Sequence, residues 1–482
     1  MSFGSSMRRK TGLAVGACAA LVLVGSAGTV AWKQQADELR PVGAWHEATA
    51  ADRTPVSLAE AGTGAATEAR PQQQSIPRRK TAGEKLPESE DPRTHAEPVK
   101  QKREIVEESA AAAAAKGRQK VGELLTVGKI LGYARKPARE SFRYPGASYV
   151  KLHFDRMMML PGDYVTVSDA EGEESYRYDA PPLLEGMSVD KWAMSVTGDT
   201  AVVEVHRTAD PLGARSLGQH SLAKDLGVRV DRAARGFSRT EQKGVPEESL
   251  TAPGRTGREE SVCGSDESRD AVCYKAKDPV AYTRSKAVAR LLIDGTELCT
   301  GWRVGTKNRM LTNNHCFDSS DTAYDTEVWF NYQCAACGGY DTYKPTKVWG
   351  DQVLATNRTL DYTLFTVENF KAVQKFGFLT LDTARPAKGQ PLYVPQHPAG
   401  DPARIAGVLG DKADNCGVSD PGYTGYTADS DVSYYCDTEG GSSGSPVLSR
   451  KTNKVVALHH FGGCPNSGVR ADLLSRQLAS KL

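Results

Sequence analysis

Ser443 stands in the run Glu439-Gly440-Gly441-Ser442-Ser443-Gly444-Ser445-Pro446. A serine hydroxyl becomes a nucleophile when the backbone bends sharply beneath it, a base stands beside it, and hydrogen-bond donors face the oxygen that turns negative. Glycines on both sides permit that bend. Gly441 has no side chain to cover its N–H, so this N–H and that of Ser443 can converge as an oxyanion hole. A base is offered by Leu311-Thr312-Asn313-Asn314-His315-Cys316, because an imidazole takes up and returns a proton near neutral pH. Asp361, opening the alternating run Leu360-Asp361-Tyr362-Thr363-Leu364-Phe365, can orient that imidazole. Singly, each motif has a bland explanation: a flexible Gly/Ser loop, a structural histidine at a strand end, a capping aspartate. Together, in the order His, Asp, Ser with gaps of 46 and 82 residues, they predict acyl transfer through a serine.

The elements that must position these residues occupy only part of the chain. A length of 482 residues allows two or three domains, and 39% hydrophobic content is low for one compact globule of that size. The net charge of +2 argues against a polyanionic partner such as nucleic acid. Arg8-Arg9-Lys10 precede an uncharged apolar run, Thr11 to Val30, then Ala31-Trp32. Residues 1–32 therefore read as a signal peptide or an uncleaved membrane anchor, and either one directs export. Cys18 follows Val15-Gly16-Ala17 in a loose likeness to a lipoprotein processing site, but the apolar run continues well past it. Residues 33–120, rich in Ala, Pro, Gln and charge, are expected to be a disordered tether, with a short helix over 104–120 where alanines cluster.

Between 121 and 239 the pattern turns to short strands separated by turns, such as Tyr149–Phe154, Tyr164–Val167, Trp192–Val196 and Ala201–Val205, which predicts an antiparallel sandwich. Residues 240–262 read as an exposed linker. Leu473, Leu474 and Leu478 share one face, which predicts a closing helix over 471–481. Nine cysteines lie from Cys263 to Cys464, and that density in an exported chain implies disulfides.

The Gly-x-Ser-Gly-x-Pro, Thr-x-x-His-Cys and Asp-aromatic-Thr-Leu motifs resemble those of chymotrypsin-like serine proteases. The cysteine frame, Phe330-Asn331-Tyr332-Gln333 and Gln396-His397-Pro398 extend the resemblance to bacterial lysyl endopeptidases across 263–482. The resemblance implies an all-β double barrel, two six-stranded antiparallel barrels with the site at their junction. It assigns Ser443 as nucleophile, His315 as general base, Asp361 as its orienting partner, and the N–H groups of Gly441 and Ser443 as the oxyanion hole. It pairs Cys263 with Cys464, Cys273 with Cys337 and Cys299 with Cys316. Cys416 and Cys436 are then left to pair, and Cys334 is odd. It implies a monomer acting on protein or peptide substrates without metal or organic cofactor, reaching a membrane only through an N-terminal anchor. The 121–239 segment is similar to CUB-like sandwiches upstream of secreted proteases, where it would be a prosegment or a binding module; the prosegment is favoured.

Specificity reads two ways. Asp437, six residues before Ser443, stands where trypsin-like enzymes hold the carboxylate that binds Lys or Arg. Yet Val456–Gly463 followed by Asn466-Ser467-Gly468-Val469-Arg470 resembles V8-like glutamyl endopeptidases, with His459 in the pocket. The basic reading is favoured, since a buried Asp437 without a cation is costly. Phe461 and Gly462 would offer backbone groups to an extended substrate. Cys334-x-x-Cys337 with His459-His460 and Cys464 has zinc-like ligand types but lacks a second close cysteine pair. An inactive protease-fold binding protein and an esterase are the rival classes. Ser442 replaces the aspartate that a trypsin-type amine switch needs, so regulation is expected from the 121–239 segment or the linker.

Overall fold

The computed structural model describes residues 41–42, 117–133, 136–182, 185–208, 226–246, 262–407 and 416–482. The expected signal or anchor segment and nearly all of the expected tether lie outside these residues. Among the described residues no helix is long and apolar enough to cross a membrane.

The N-terminal part is a sandwich of two antiparallel sheets. One sheet orders the strands Arg139–Arg143, Thr200–His206, Tyr164–Ser168 and Ser175–Asp179; the other orders Gly122–Leu131, Gly227–Gly236, Tyr149–Met158 and Lys191–Trp192. Leu152, Phe154, Val165, Val167, Val203 and Val228 fill the space between them, as period-2 alternation requires. The strand expected over 192–196 is interrupted. At Ser195 the backbone leaves the ladder, and its N–H and Oγ donate to Glu327 of the following domain, at 2.9 and 2.6 Å.

From Val288 onward the chain forms two barrels, the chymotrypsin-like arrangement. The first closes the strands Val288–Ile293, Glu327–Phe330, Thr346–Asn357, Tyr362–Val367, Met310–Thr312 and Glu297–Arg303, the first and last pairing again. The second orders Arg404–Ala406, Leu392–Gln396, Pro446–Ser449, Val455–Phe461, Asn466–Arg470, Asp431–Tyr434 and Val418–Tyr423. A bridge between Pro391 and Gly417 joins the ends of Leu392–Gln396 and Val418–Tyr423 and closes six of these strands. Extra edge strands enlarge both sheets beyond six: Arg404–Ala406 and Arg269–Asp270 on the second, and Gln119–Lys120 on the first. The closing helix is shorter than expected, Ala471–Leu478, and buries Ala471, Leu474 and Leu478 on the second barrel, while Leu473 stays half-buried. Four disulfides brace this part: Cys263–Cys464, Cys273–Cys337, Cys299–Cys316 and Cys416–Cys436. Cys334 is a buried thiol whose pKa burial pushes up to about 12. With Cys337 and Cys464 both in disulfides, the zinc-like ligand set does not exist.

Two boundaries differ from those read in the sequence. Gln119–Lys120, expected at the end of a tether, pairs with Glu297 and Leu298 of the first barrel. The first residues of the expected linker form a helix, Arg239–Gln242, capped by Ser238 and anchored through a bond from Gln242 Nε2 to the Lys120 carbonyl, 3.0 Å. Local propensity does not foretell the strand, which depends on a surface distant in sequence, whereas the helix carries a local signal in its Ser238–Glu241 capping box.

Sandwich and first barrel share a continuous core. Tyr149 of the sandwich and Val121 pack with Leu292, Leu298, Trp329 and Tyr332 of the barrel, all buried. Beside them run two crossed ion pairs, Lys151 with Glu327 at 2.8 Å and Lys347 with Glu174 at 2.6 Å. Each domain thus supplies one acid and one base. Glu327 is fully satisfied, since Ser195 and Trp329 Nε1 also donate to it. Burial alone would raise its pKa, but Lys151 and Lys347 hold it below the usual carboxylate range. Breaking such a pair from one side leaves buried charge uncompensated. Glu327→Ala should therefore lower the unfolding free energy by about 3–5 kcal/mol in urea titration with an unchanged m-value. A loss well under 1 kcal/mol would show that the two lysines reach other partners.

Candidate active site

His315 follows the strand Met310–Thr312, and the Cys299–Cys316 bridge anchors the next residue to the neighbouring strand. Asp361 stands at φ 41° immediately before Tyr362–Val367. That conformation turns its side chain out of the strand's alternation, and the carboxylate grips His315 twice. Oδ1 accepts the His315 backbone N–H at 2.9 Å, and Oδ2 lies 2.7 Å from Nδ1. A carboxylate only accepts, so Nδ1 carries a proton, and in the neutral ring Nε2 is the lone-pair acceptor. Among the described residues Nε2 has no hydrogen-bond partner.

The run around Ser443 is held from both barrels. Thr300 N–H donates to the Ser443 carbonyl at 2.8 Å, and Thr300 Oγ1 donates to the Gly441 carbonyl at 2.9 Å. Cys316 Sγ sits 3.9 Å from the Ser443 carbonyl oxygen, so the residue after His315 lies against the backbone of Ser443. Two further bonds set the direction of the amides. Ala399 N–H donates to the Gly440 carbonyl at 2.7 Å, and Ser445 N–H donates to the Ser442 carbonyl at 2.9 Å. In a trans peptide the C=O and the following N–H point opposite ways. Both carbonyls face the protein, so the N–H groups of Gly441 and Ser443 face away from those donors. Glycine is obligatory around this loop. Gly441 and Gly444 have φ of 94° and 88°, and a Cβ on Gly444 would fall 2.1 Å from the Thr300 carbonyl oxygen.

One participant escaped the sequence reading. His460 lies between two carboxylates, with Nδ1 3.1 Å from Asp361 Oδ2 and Nε2 2.6 Å from Asp431 Oδ2. Neither oxygen can donate to the ring, so both ring nitrogens must carry protons. Burial alone would lower the His460 pKa, but Asp431 and Asp361 outweigh it and raise it to about 9. The same contacts, with His315, hold Asp361 well below the usual carboxylate range against the upward pull of burial. Ser430 and Ser467 hydroxyls donate to Asp431 at 2.7 and 2.9 Å. The signal available in sequence was the His459-His460 doublet in a strand, whose members face opposite sides. What hid the partner is a bulge, since His459 pairs with Gly468 and Phe461 with Ser467, leaving His460 extra.

The residues assigned to substrate recognition are less uniform. His459 is buried, its Nδ1 2.7 Å from the Tyr434 hydroxyl. Phe461 is buried against Tyr426, with ring centroids 4.9 Å apart, and Gly462 beside it is partly exposed. Asp437 is engaged elsewhere. Its Oδ2 accepts the Glu267 N–H at 2.9 Å, fastening the segment after Cys263, and burial raises its pKa. Ser442 Oγ accepts the Glu439 N–H at 3.2 Å inside its own loop.

Residues 264–472 match the family model described as lysyl endopeptidase, C-terminal domain. Among curated proteins, the secreted RxLR effector protein 73 of Plasmopara viticola is 40% identical over 224 residues, 45% of this chain and 54% of the relative. An uncharacterised protein, y4fB, of Sinorhizobium fredii is 30% identical over 198 residues, 37% of this chain and 28% of the relative. The chain thus spans about half the length of the first and less than a third of the second. A solved Glu endopeptidase in complex with MPD matches at 17% identity, TM-score 0.33, covering 45% of this chain and 97% of its own. The HtrA-type protease AlgW with a tripeptide matches at 12% identity, TM-score 0.31, covering 43% and 64%. Fold and family-model match together support a serine protease of chymotrypsin-like fold.

The buried imidazolium has a consequence for stability. The folded state holds the His460 proton more tightly than the unfolded chain does. Its contribution is complete below pH about 6.5, the unfolded value, and disappears as pH rises through about 9. Unfolding free energy should fall by on the order of 3 kcal/mol across that window in the native protein, and by much less in His460→Gln. Parallel pH profiles for the two proteins would contradict the assignment.

Proposed function

We propose that the protein is a secreted serine endopeptidase that cleaves protein or peptide substrates through an acyl-enzyme. The observation that carries this reading is the double grip of Asp361 on His315, which leaves Nε2 to take up a proton, with the next residue, Cys316, lying against the Ser443 carbonyl. In the first step Ser443 Oγ attacks the carbonyl carbon while His315 Nε2 takes the hydroxyl proton. The new oxyanion meets the Gly441 and Ser443 N–H groups, each such donor being worth about 10²–10³ in kcat. His315 then returns the proton to the leaving amine, and water repeats the cycle on the acyl ester. Asp361 keeps the tautomer fixed and balances the imidazolium. Four disulfides suit an oxidising compartment outside the cytoplasm.

For the residue before the scissile bond, the basic reading needs Asp437 to meet a cation, yet its Oδ2 already takes the Glu267 N–H. The position of His459 favours the second reading, recognition of a glutamate. The ring is buried, its Nδ1 is engaged by the Tyr434 hydroxyl, and an imidazole N–H can donate to a carboxylate. Incubation with a denatured protein mixture and sequencing of the new termini separates the two. We expect cleavage that disappears in Ser443→Ala, together with labelling by an organophosphonate probe, while the fold is retained. If His459 reads the substrate, His459→Ala should cut kcat/KM for glutamyl substrates at least about 100-fold, with Asp437→Asn far milder. The opposite pattern would return specificity to basic residues. A clean, folded protein that neither cleaves nor labels would favour an inactive binding protein.

A further inference from the structure

The amide that makes half of the oxyanion hole depends on a loop that the sandwich holds. Ala399 N–H fixes the Gly440 carbonyl, and Ala399 itself has φ 47°, a left-handed conformation that a residue with a Cβ keeps only where its surroundings impose it. The next residue, Gly400, is held by Arg290, whose Nη1 donates to its carbonyl at 3.1 Å. Arg290 is buried, with its guanidinium inside a box of three rings: Trp329 at 5.0 Å, Tyr332 at 5.1 Å and Tyr149 at 5.6 Å from the ring centroids. The first two belong to the barrel, and Tyr149 belongs to the sandwich, tied by its hydroxyl to the Gly295 carbonyl at 2.9 Å. Val121 and Gln242 press on Gly400 directly, since a Cβ there would meet Val121 Cγ1 at 3.0 Å and Gln242 Oε1 at 3.6 Å.

We infer that the 121–239 sandwich is a retained, permanently seated part of the working enzyme, and that Tyr149, through Arg290 and Gly400, is a positioning residue for the 440–441 peptide. The inference rests on the protease reading above for its catalytic half, and on the shared core for its docking half. A removable prosegment would leave behind a barrel surface that stands alone. Here removal would strip one wall from Arg290, take Lys151 and Ser195 from Glu327 and Glu174 from Lys347, and uncover Leu292, Leu298 and Trp329 together. Borders of this apolar, interlocked kind resemble obligate interfaces.

The test uses the full chain with a site-specific protease recognition sequence inserted between residues 247 and 261. After cutting, the two pieces should co-elute on gel filtration and keep kcat within about threefold of the uncut protein, as an obligate interface would. Tyr149→Ala should lower kcat about 10- to 100-fold with little change in KM, the signature of a displaced transition-state donor, and Tyr149→Phe, which keeps the ring, should restore it. Should Tyr149→Ala fail to fold, Gln242→Ala should show the same kcat-only loss in smaller measure. A sandwich that elutes separately while the remaining domain stays equally or more active would overturn the proposal, as would kcat unchanged in both variants. Pieces that co-elute from a protein inert on all peptides would uphold the docking, overturn the protease reading, and remove the positioning role with it.

Discussion

The carboxylate of Asp361 is the point on which the site depends, because it joins the two barrels electrically. Asp361 and His315 come from the first barrel, His460 and Asp431 from the second, and Asp361 Oδ2 faces both imidazoles. A buried carboxylate with one neutral imidazole would pull its own pKa upward. His315 supplies most of the compensation, and the second, charged imidazole of His460 adds to it. Asp431 in turn balances His460, with two serine hydroxyls satisfying its oxygens. The chain of alternating charge ends there, inside the second barrel.

Backbone hydrogen bonds make the corresponding link on the nucleophile side. Thr300 of the first barrel uses its N–H on Ser443, its hydroxyl on Gly441, and its carbonyl on Thr312 just before His315. One residue thereby sets the spacing between base and nucleophile. The close approach excludes a Cβ at Gly441 and Gly444, which is why glycine stands at those two positions. The 397–401 segment then settles the remaining freedom, the flip of the 440–441 peptide.

Much of this was legible from residue types. Ser443, His315 and Asp361 stand out because a nucleophile, a base and an orienting acid would each need a recognisable local sequence, and the structure brings Asp361 onto His315; strands such as Tyr149–Met158 follow from alternation. What stayed hidden depends on partners far apart in sequence. His460 entered only with His459 among zinc-like ligand types, since a bulge cannot be read from side-chain order. Asp437 looked like a pocket carboxylate, since nothing in sequence shows the Glu267 N–H arriving at it. The strand Gln119–Lys120 had no alternation to betray it, being only two residues long and formed by pairing with Glu297–Leu298. Nothing in the sequence marks Lys151, Glu174, Glu327 and Lys347 as partners, which only the fold brings into two crossed pairs.

The most direct measurement of the central claim is a crystal structure with a peptide boronate soaked into the site. The account predicts a covalent bond from boron to Ser443 Oγ, one boronate oxygen between the N–H groups of Gly441 and Ser443, and His315 Nε2 within hydrogen-bond reach of the adduct. A boronate that binds without bonding to Ser443, or whose oxygen turns to solvent because the 440–441 peptide is reversed, would contradict it.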